Sequence, residues 1–330
     1  MTLSYLPVHF FIEFESPAKV DNPPLFVLRS VLGKELHSMS CLAHNSVCAD
    51  CMYNHTCAYS FLFETILSQQ NEVVPGRDRA SHPFAFTQGA NVNEGRHPVN
   101  SESGLQKYDF TITFFGKAIE YLPYVYAAFV RAGKNGLFKA RTPFVVKSVF
   151  ADDRNILLEE GRLDTQFSPK LIELPYGGTP SNECDVKKGE VLVELKTPLR
   201  FKCGGKYTAD FSAQDFMSCL YRRAKTLCQL YGEVESSEVH TDCSDSKSAL
   251  PYSPGTSLTI IEKNLHWSDS QHYSAHQKNA MKLGGVTGTF KLSGNFSVMD
   301  IGLLEFARIA NAGKNTNFGL GKLDFWQKWE

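Results

Sequence analysis

The stretch Ala132-Gly133-Lys134-Asn135-Gly136-Leu137-Phe138 returns later in the chain as Ala312-Gly313-Lys314-Asn315-Thr316-Asn317-Phe318, at an offset of 312 − 132 = 180 residues. Each copy follows an apolar segment with helical spacing. Leu122, Val125, Tyr126 and Phe129 stand at i, i+3, i+4 and i+7 before the first copy. Ile301, Leu304 and Phe306 precede the second, behind Ser297 and Asp300 at capping-box spacing. Residues 143–150 (PFVVKSVF) and 318–326 (FGLGKLDFW) then read as strands. Gly-Lys-Asn is also an ordinary helix C-cap. A helix, turn and strand repeated as a block nevertheless points to duplication of one α+β unit.

The rest of each half fits the same unit. In the first half, residues 8–14 read as a strand, and Asp21-Asn22-Pro23 opens a helix with the stripe Leu25, Leu28, Leu32 and Leu36. Residues 108–115 (YDFTITFF) alternate as a half-buried strand does. In the second half, 191–195 is a strand. Ser212 and Asp215 form another capping-box pattern before Phe216, Leu220, Leu227 and Tyr231, and Gly232 ends that helix. Residues 258–261 and 286–292 complete the strands. The order β-α-β-β-α-β in each half gives the expected architecture. It is α+β, with two tandem ferredoxin-like (RRM-like) domains over residues 1–155 and 156–330. Segments 70–106 and 233–256, rich in Gly, Pro, Ser and Asn, read as long loops.

Composition bounds the function. In 330 residues, 42% are hydrophobic and 21% charged, which excludes a disordered chain. Lys and Arg total 34 against 35 Asp and Glu, a net charge of -1, so the chain is not a globally basic nucleic-acid binder. Its apolar stretch 121–130 is too short for a membrane span, and the first residues read as a strand rather than a signal peptide. Nine cysteines, an odd number, argue against a disulfide framework and for a reducing cytoplasm.

Four of those cysteines cluster as Cys41, Cys48, Cys51 and Cys57, with spacing C-x6-C-x2-C-x5-C. Four thiolates satisfy a tetrahedral metal, and a short C-x-x-C arm supplies two of them. The expectation is a small structural metal knuckle inserted after the first helix, holding zinc; an iron–sulfur cluster uses the same ligands. His37, His44 and His55 lie beside it and could replace a cysteine.

Gly313, Lys314, Phe318, Gly319, Gly321 and Lys322 make a glycine-rich turn carrying two lysines and an aromatic ring. Its N–H groups and lysines suit a phosphate backbone, although a plain helix-to-strand bend has the same glycines. The order of a Walker A loop is absent. Residues 121–151, 196–206 and 270–299 hold basic residues and no acid, so a neutral chain can still present a positive groove to RNA or DNA. An ordinary solvated face reads the same way.

The end GKNTNFGLGKLDFW (313–326), the upstream KLGGVTGTFKLSG (282–294) and the helix end YRRAKTLCQLYG (221–232) resemble the CRISPR-associated repeat-processing endoribonucleases of the RAMP superfamily. The cysteine cluster running into Tyr59-Ser60-Phe61-Leu62-Phe63-Glu64 is similar to a subset of that family. The resemblance implies two ferredoxin-like domains and binding of CRISPR repeat RNA. It also implies cleavage without a catalytic metal, leaving a 2′,3′-cyclic phosphate and a 5′-hydroxyl. A prokaryotic cytoplasm, other CRISPR effector or adaptation proteins as partners, and no membrane follow from it. Along with the glycine turn, the segments that carry the resemblance offer Arg222, Arg223 and Lys282 as RNA contacts, and the basic tract 121–151 offers Lys134.

The family often places its catalytic histidine at the end of the first helix, where this chain has His37, with Lys34 one turn before it as phosphate stabiliser. Asn311 and Ala312 stand where relatives often carry a histidine. His272 and His276 replace arginines, and form a second catalytic candidate set with Tyr273. On a helix, their i, i+4 spacing would put both on one face, for catalysis, RNA phosphates or a metal. A non-cleaving RNA-binding subunit of a RAMP-type assembly is the alternative function, and a zinc-knuckle protein acting on DNA a weaker one.

Overall fold

The computed structural model describes residues 1–43, 47–67, 73–74, 76–89, 104–174, 186–232, 253–269, 271–274 and 279–330; for 271–274 and 279–282 it describes the backbone only. The chain divides into two compact units. The N-terminal unit comprises residues 5–170 with 316–319, and the C-terminal unit residues 1–4, 171–315 and 320–330.

In the N-terminal unit the elements run β1 (Thr2–Ala18), α1 (Pro24–Ser40), β2 (Phe84–Gln88), β3 (Leu105–Phe115), α2 (Leu122–Asn135) and β4 (Phe144–Ala151). The strands pair antiparallel in the order β2-β3-β1-β4, with Phe10 opposite Phe110 and Val149. Strand alternation decides which side is core: Leu6, Val8, Phe10, Ile12 and Phe14 of β1 are buried, and the residues between them are less so. The leucine stripe of α1 is buried as its spacing demands, and Val125, Phe129 and Ala132 of α2 share its core. Each fully buried Phe or Leu removes enough apolar surface to contribute about 2 kcal/mol.

In the C-terminal unit the same sequence of elements recurs as β5 (Lys187–Leu199), α3 (Ala213–Tyr231), β6 (Leu258–Ser268), β7 (Gly285–Phe296), α4 (Val298–Ala310) and β8 (Leu323–Trp329). The sheet order is β6-β7-β5-β8. With each strand replaced by its rank within its own unit, both orders become second-third-first-fourth, the ferredoxin-like arrangement. Both capping boxes are formed: the Ser212 and Ser297 hydroxyls accept from the Asp215 and Asp300 N–H groups, whose carboxylates accept in return. The two copies of the repeated stretch fall at matching places, the end of α2 and the turn after α4.

Several expectations need correction. The division falls after Lys170 rather than after residue 155, because Ile156 is buried in the first core and Leu157, Leu163 and Phe167 pack against it. The segment read as a loop over 70–106 contains β2, whose Phe84, Ala85 and Phe86 are all buried and therefore show no alternation. The last strand starts at Leu323 instead of 318, because Thr316–Phe318 forms a 3₁₀ turn and Gly319 and Gly321 have φ of 85° and 75°. His272 lies on a strand, Gln271–Ser274, paired with Asn279–Lys282, so no helix aligns it with His276. His276, His44 and most of 233–256 lie outside the described residues.

Candidate active site and RNA-contact positions

His37 stands in the last turn of α1, where its carbonyl accepts from the Cys41 N–H at the helix end. Its ring meets Tyr59 edge-on at 4.7 Å between centroids. Neither ring nitrogen has a hydrogen-bond partner among the described residues. By contrast, His9 is committed on both sides, to Thr111 Oγ1 at 2.8 Å and Asp109 Oδ2 at 3.1 Å. Lys34, one turn before His37, is exposed.

The support beneath His37 is a short π-helix, Ser60–Glu64, closed by Thr65 in the left-handed region. Such single-turn widenings re-aim side chains at functional sites. The Tyr59 hydroxyl donates to Glu64 Oε1 at 3.0 Å, and Arg79 pairs with the same buried carboxylate at 2.7 Å. Burial, then the Glu64 charge, pushes the Tyr59 hydroxyl above its ordinary pKa, so it stays a donor. Tyr59 stacks on Phe63 at 5.7 Å. The Arg29 guanidinium lies 4.9 Å from the Phe63 centroid and 4.7 Å from that of Phe318. Burial lowers the Arg29 pKa to about 10. Gly33 permits the stack, since a Cβ there would lie 2.9 Å from Phe63. Tyr59 and Glu64 bound the stretch that resembles the family subset, but neither they nor Arg29 is marked there as a site residue; they act through contacts between α1 and the π-helix.

All four clustered cysteines, with His37, Tyr59 and Ser60, line one solvent-open pocket. Every thiol is free and partly buried, and Cys57 Sγ donates to the Ser40 carbonyl at 3.8 Å. Burial, then the Glu64 charge and the other three thiols, raises the Cys48 pKa. Four sulfurs around one cavity are the donor chemistry a structural zinc uses. Among the described residues, however, no three His, Cys, Asp or Glu side chains stand together at ligand spacing.

The glycine turn is built by backbone approach. In the C-terminal unit, the Lys314 N–H donates to the Arg200 carbonyl at 2.8 Å, and a Cβ at Gly313 would lie 2.5 Å from that oxygen. Ala312 and Gly321 face each other through a 2.7 Å bond. Lys322 Nζ donates to the Arg308 carbonyl at 2.6 Å, and burial lowers its pKa. In the N-terminal unit, Gly319 lies against Leu25, and Phe318 packs on Phe26 at 5.4 Å and on Arg29. Thus Phe318, Gly319, Gly321 and Lys322 serve packing, whereas Lys314 is exposed. The neighbouring pair on α3 splits likewise: Arg222 is exposed, and Arg223, 8% exposed, donates to the Ala310 and Asn311 carbonyls at 2.7–3.0 Å. Lys134 is exposed near the end of α2, and Lys282 falls on the strand Asn279–Lys282.

Residues 3–169 match the AF_1859_N family model, described as an N-terminal domain. Residues 193–323 match the model described as CRISPR-associated endoribonuclease Cas6. Among solved structures, a Cas6 product complex covers 98% of this chain and 100% of that chain at 15% identity and a TM-score of 0.51. Thermus thermophilus Cas6 covers 98% and 99% at 13% identity and a TM-score of 0.47. At such identities the first likeness is one of fold. No curated protein matches the chain. With half of its residues inside the first family model, the chain belongs to the AF_1859_N family, and the match of most of the remainder to the second supports a CRISPR Cas6-type endoribonuclease.

Proposed function

We propose that this endoribonuclease processes precursor CRISPR RNA by cutting within the repeat without a catalytic metal. The ribose 2′-oxygen attacks the adjacent phosphorus, a base takes the 2′ proton, and the bond to the 5′-oxygen breaks as an acid protonates it. The products are a 2′,3′-cyclic phosphate and a 5′-hydroxyl. His37 takes one of the two proton roles, since histidine exchanges protons near neutral pH. Lys34 offsets charge on the phosphate. The observation that carries this assignment is the His37 ring itself: fixed edge-on by Tyr59, with both nitrogens uncommitted among the described residues.

A transcript containing the repeat, incubated with the protein in EDTA, tests the reaction. Cleavage to cyclic-phosphate ends is expected, and His37→Ala should slow it by about 100-fold or more with RNA affinity unchanged. A fully active variant removes His37 from the mechanism, and binding without cleavage makes the chain a non-cleaving RNA-binding subunit. In the same reading, Cys41, Cys48, Cys51 and Cys57 hold a structural zinc, with an iron–sulfur cluster the less favoured occupant. Elemental analysis should find about one zinc per chain, lost on Cys48→Ser; iron with visible absorbance would overturn that choice.

A further inference from the structure

The C-terminal unit holds a second concentration of cations and rings, gathered around Arg200. The Arg200 guanidinium lies 3.8 Å from the Tyr207 ring centroid, and one of its N–H groups donates to the Gly284 carbonyl at 2.7 Å. Its other N–H groups have no hydrogen-bond partner among the described residues. Tyr207 is delivered by a minimal hairpin, Lys202–Cys203 paired with Lys206–Tyr207. Gly204 and Gly205 form its turn at φ of 54° and 82°, with open space around both. Lys202 Nζ lies 5.4 Å from the same ring. Gly284 also abuts Trp267, since a Cβ there would lie 2.7 Å from the indole nitrogen. Trp267 is 40% exposed and donates to Asp269 at 2.8 Å. The Arg200 carbonyl, in turn, accepts from Lys314, so this residue joins the glycine turn, the hairpin and the Gly284 bend.

We propose that Arg200, Tyr207 and Trp267, with Lys202 and Lys314, form a platform for single-stranded RNA. Bases stack on aromatic faces and on guanidinium planes, and lysines pair with the phosphates between them. The Gly284 carbonyl and the Tyr207 ring hold the guanidinium in one plane, so little freedom is lost on binding. The exposed cations Lys202, Lys206 and Lys314 belong to this group, and the acids near it are engaged: Asp269 by Trp267, Asp215 by Ser212 and Asp210 by Lys263. A duplex presents no free base faces to such rings, which is why the occupant is a single strand. This inference rests on the ribonuclease reading but uses none of its proposed catalytic groups.

The probe is a fluorescein-labelled uridine oligomer of about 12 nucleotides, within the usual span of such surfaces. Tyr207→Leu and Trp267→Leu should each weaken its binding about tenfold. Lys202→Ala, at an exposed side chain that leaves the fold intact, should flatten the slope of log K against log salt by about 0.7. Tight wild-type binding with neither the affinities nor the slope changed overturns the platform and leaves the ribonuclease reading standing. Tighter wild-type binding to duplex DNA of equal length overturns it as a single-strand site. A wild-type protein that binds neither the oligomer nor a repeat transcript overturns both.

Discussion

Arg222 and Arg223 are neighbours in the chain, and the 100° step of a helix gives them opposite fates. Arg222 faces water. Arg223 turns inward and closes the end of α4 by donating to the Ala310 and Asn311 carbonyls. Helices leave their last carbonyls unpaired, and a guanidinium fork is one of few side chains that satisfies two at once. Burial lowers its pKa to about 10, the mark of a cation held in a poorly solvating place. Arg223→Leu should therefore destabilise the fold by about 3 kcal/mol, since two buried carbonyls lose their donors. Arg223→Lys should recover only part of that, because an ammonium lacks the fork. Urea unfolding monitored by circular dichroism reads both. An Arg223→Leu variant as stable as wild type, with weakened RNA binding, would return Arg223 to the RNA-contact group.

At the scale of elements, what was legible in the sequence was local. The Ser212–Asp215 and Ser297–Asp300 patterns mark where α3 and α4 begin because the bonds they predict are made within three residues. The stripe from Leu25 to Leu36 marks α1 although no side chain caps it. Illegible elements were those whose cause is non-local. Strand β2 is five residues long and buried wherever its neighbours cover it, so period-2 alternation never appears. The His272–His276 spacing suggests a helix face only if a helix exists, and there the chain pairs with Asn279–Lys282 instead. The candidate site divides in the same way. The cysteines are visible from spacing, whereas His37, with Lys34 one turn before it, is singled out by the family resemblance. Tyr59, Glu64 and Arg29 matter through a π-helix that no sequence period announces. Likewise, the tract 196–206 shows its lysines, but not that Arg200 reaches a carbonyl 84 positions away.

For the molecule as a whole, a net charge of -1 supplies no long-range attraction to a polyanion. Any affinity for RNA must come from local sets of cations, and salt dependence counts them. Lys202, Lys206 and Lys314 are the phosphate-facing set around the proposed platform, and single strands lose about 0.7 of a unit of slope per phosphate contact. Three contacts give an expected slope near −2 for log K against log salt with the uridine oligomer. Exposed Lys134, Lys139 and Arg141 form a separate set in the N-terminal unit. If a longer repeat transcript engages them too, its slope should steepen by about 2 over that of the oligomer, and Lys134→Ala should reduce the transcript's slope while leaving the oligomer's unchanged. Anisotropy titrations across a salt series measure both. Equal slopes for the two RNAs would confine binding to the C-terminal unit, and a slope near zero would mean that stacking, not charge, holds the strand.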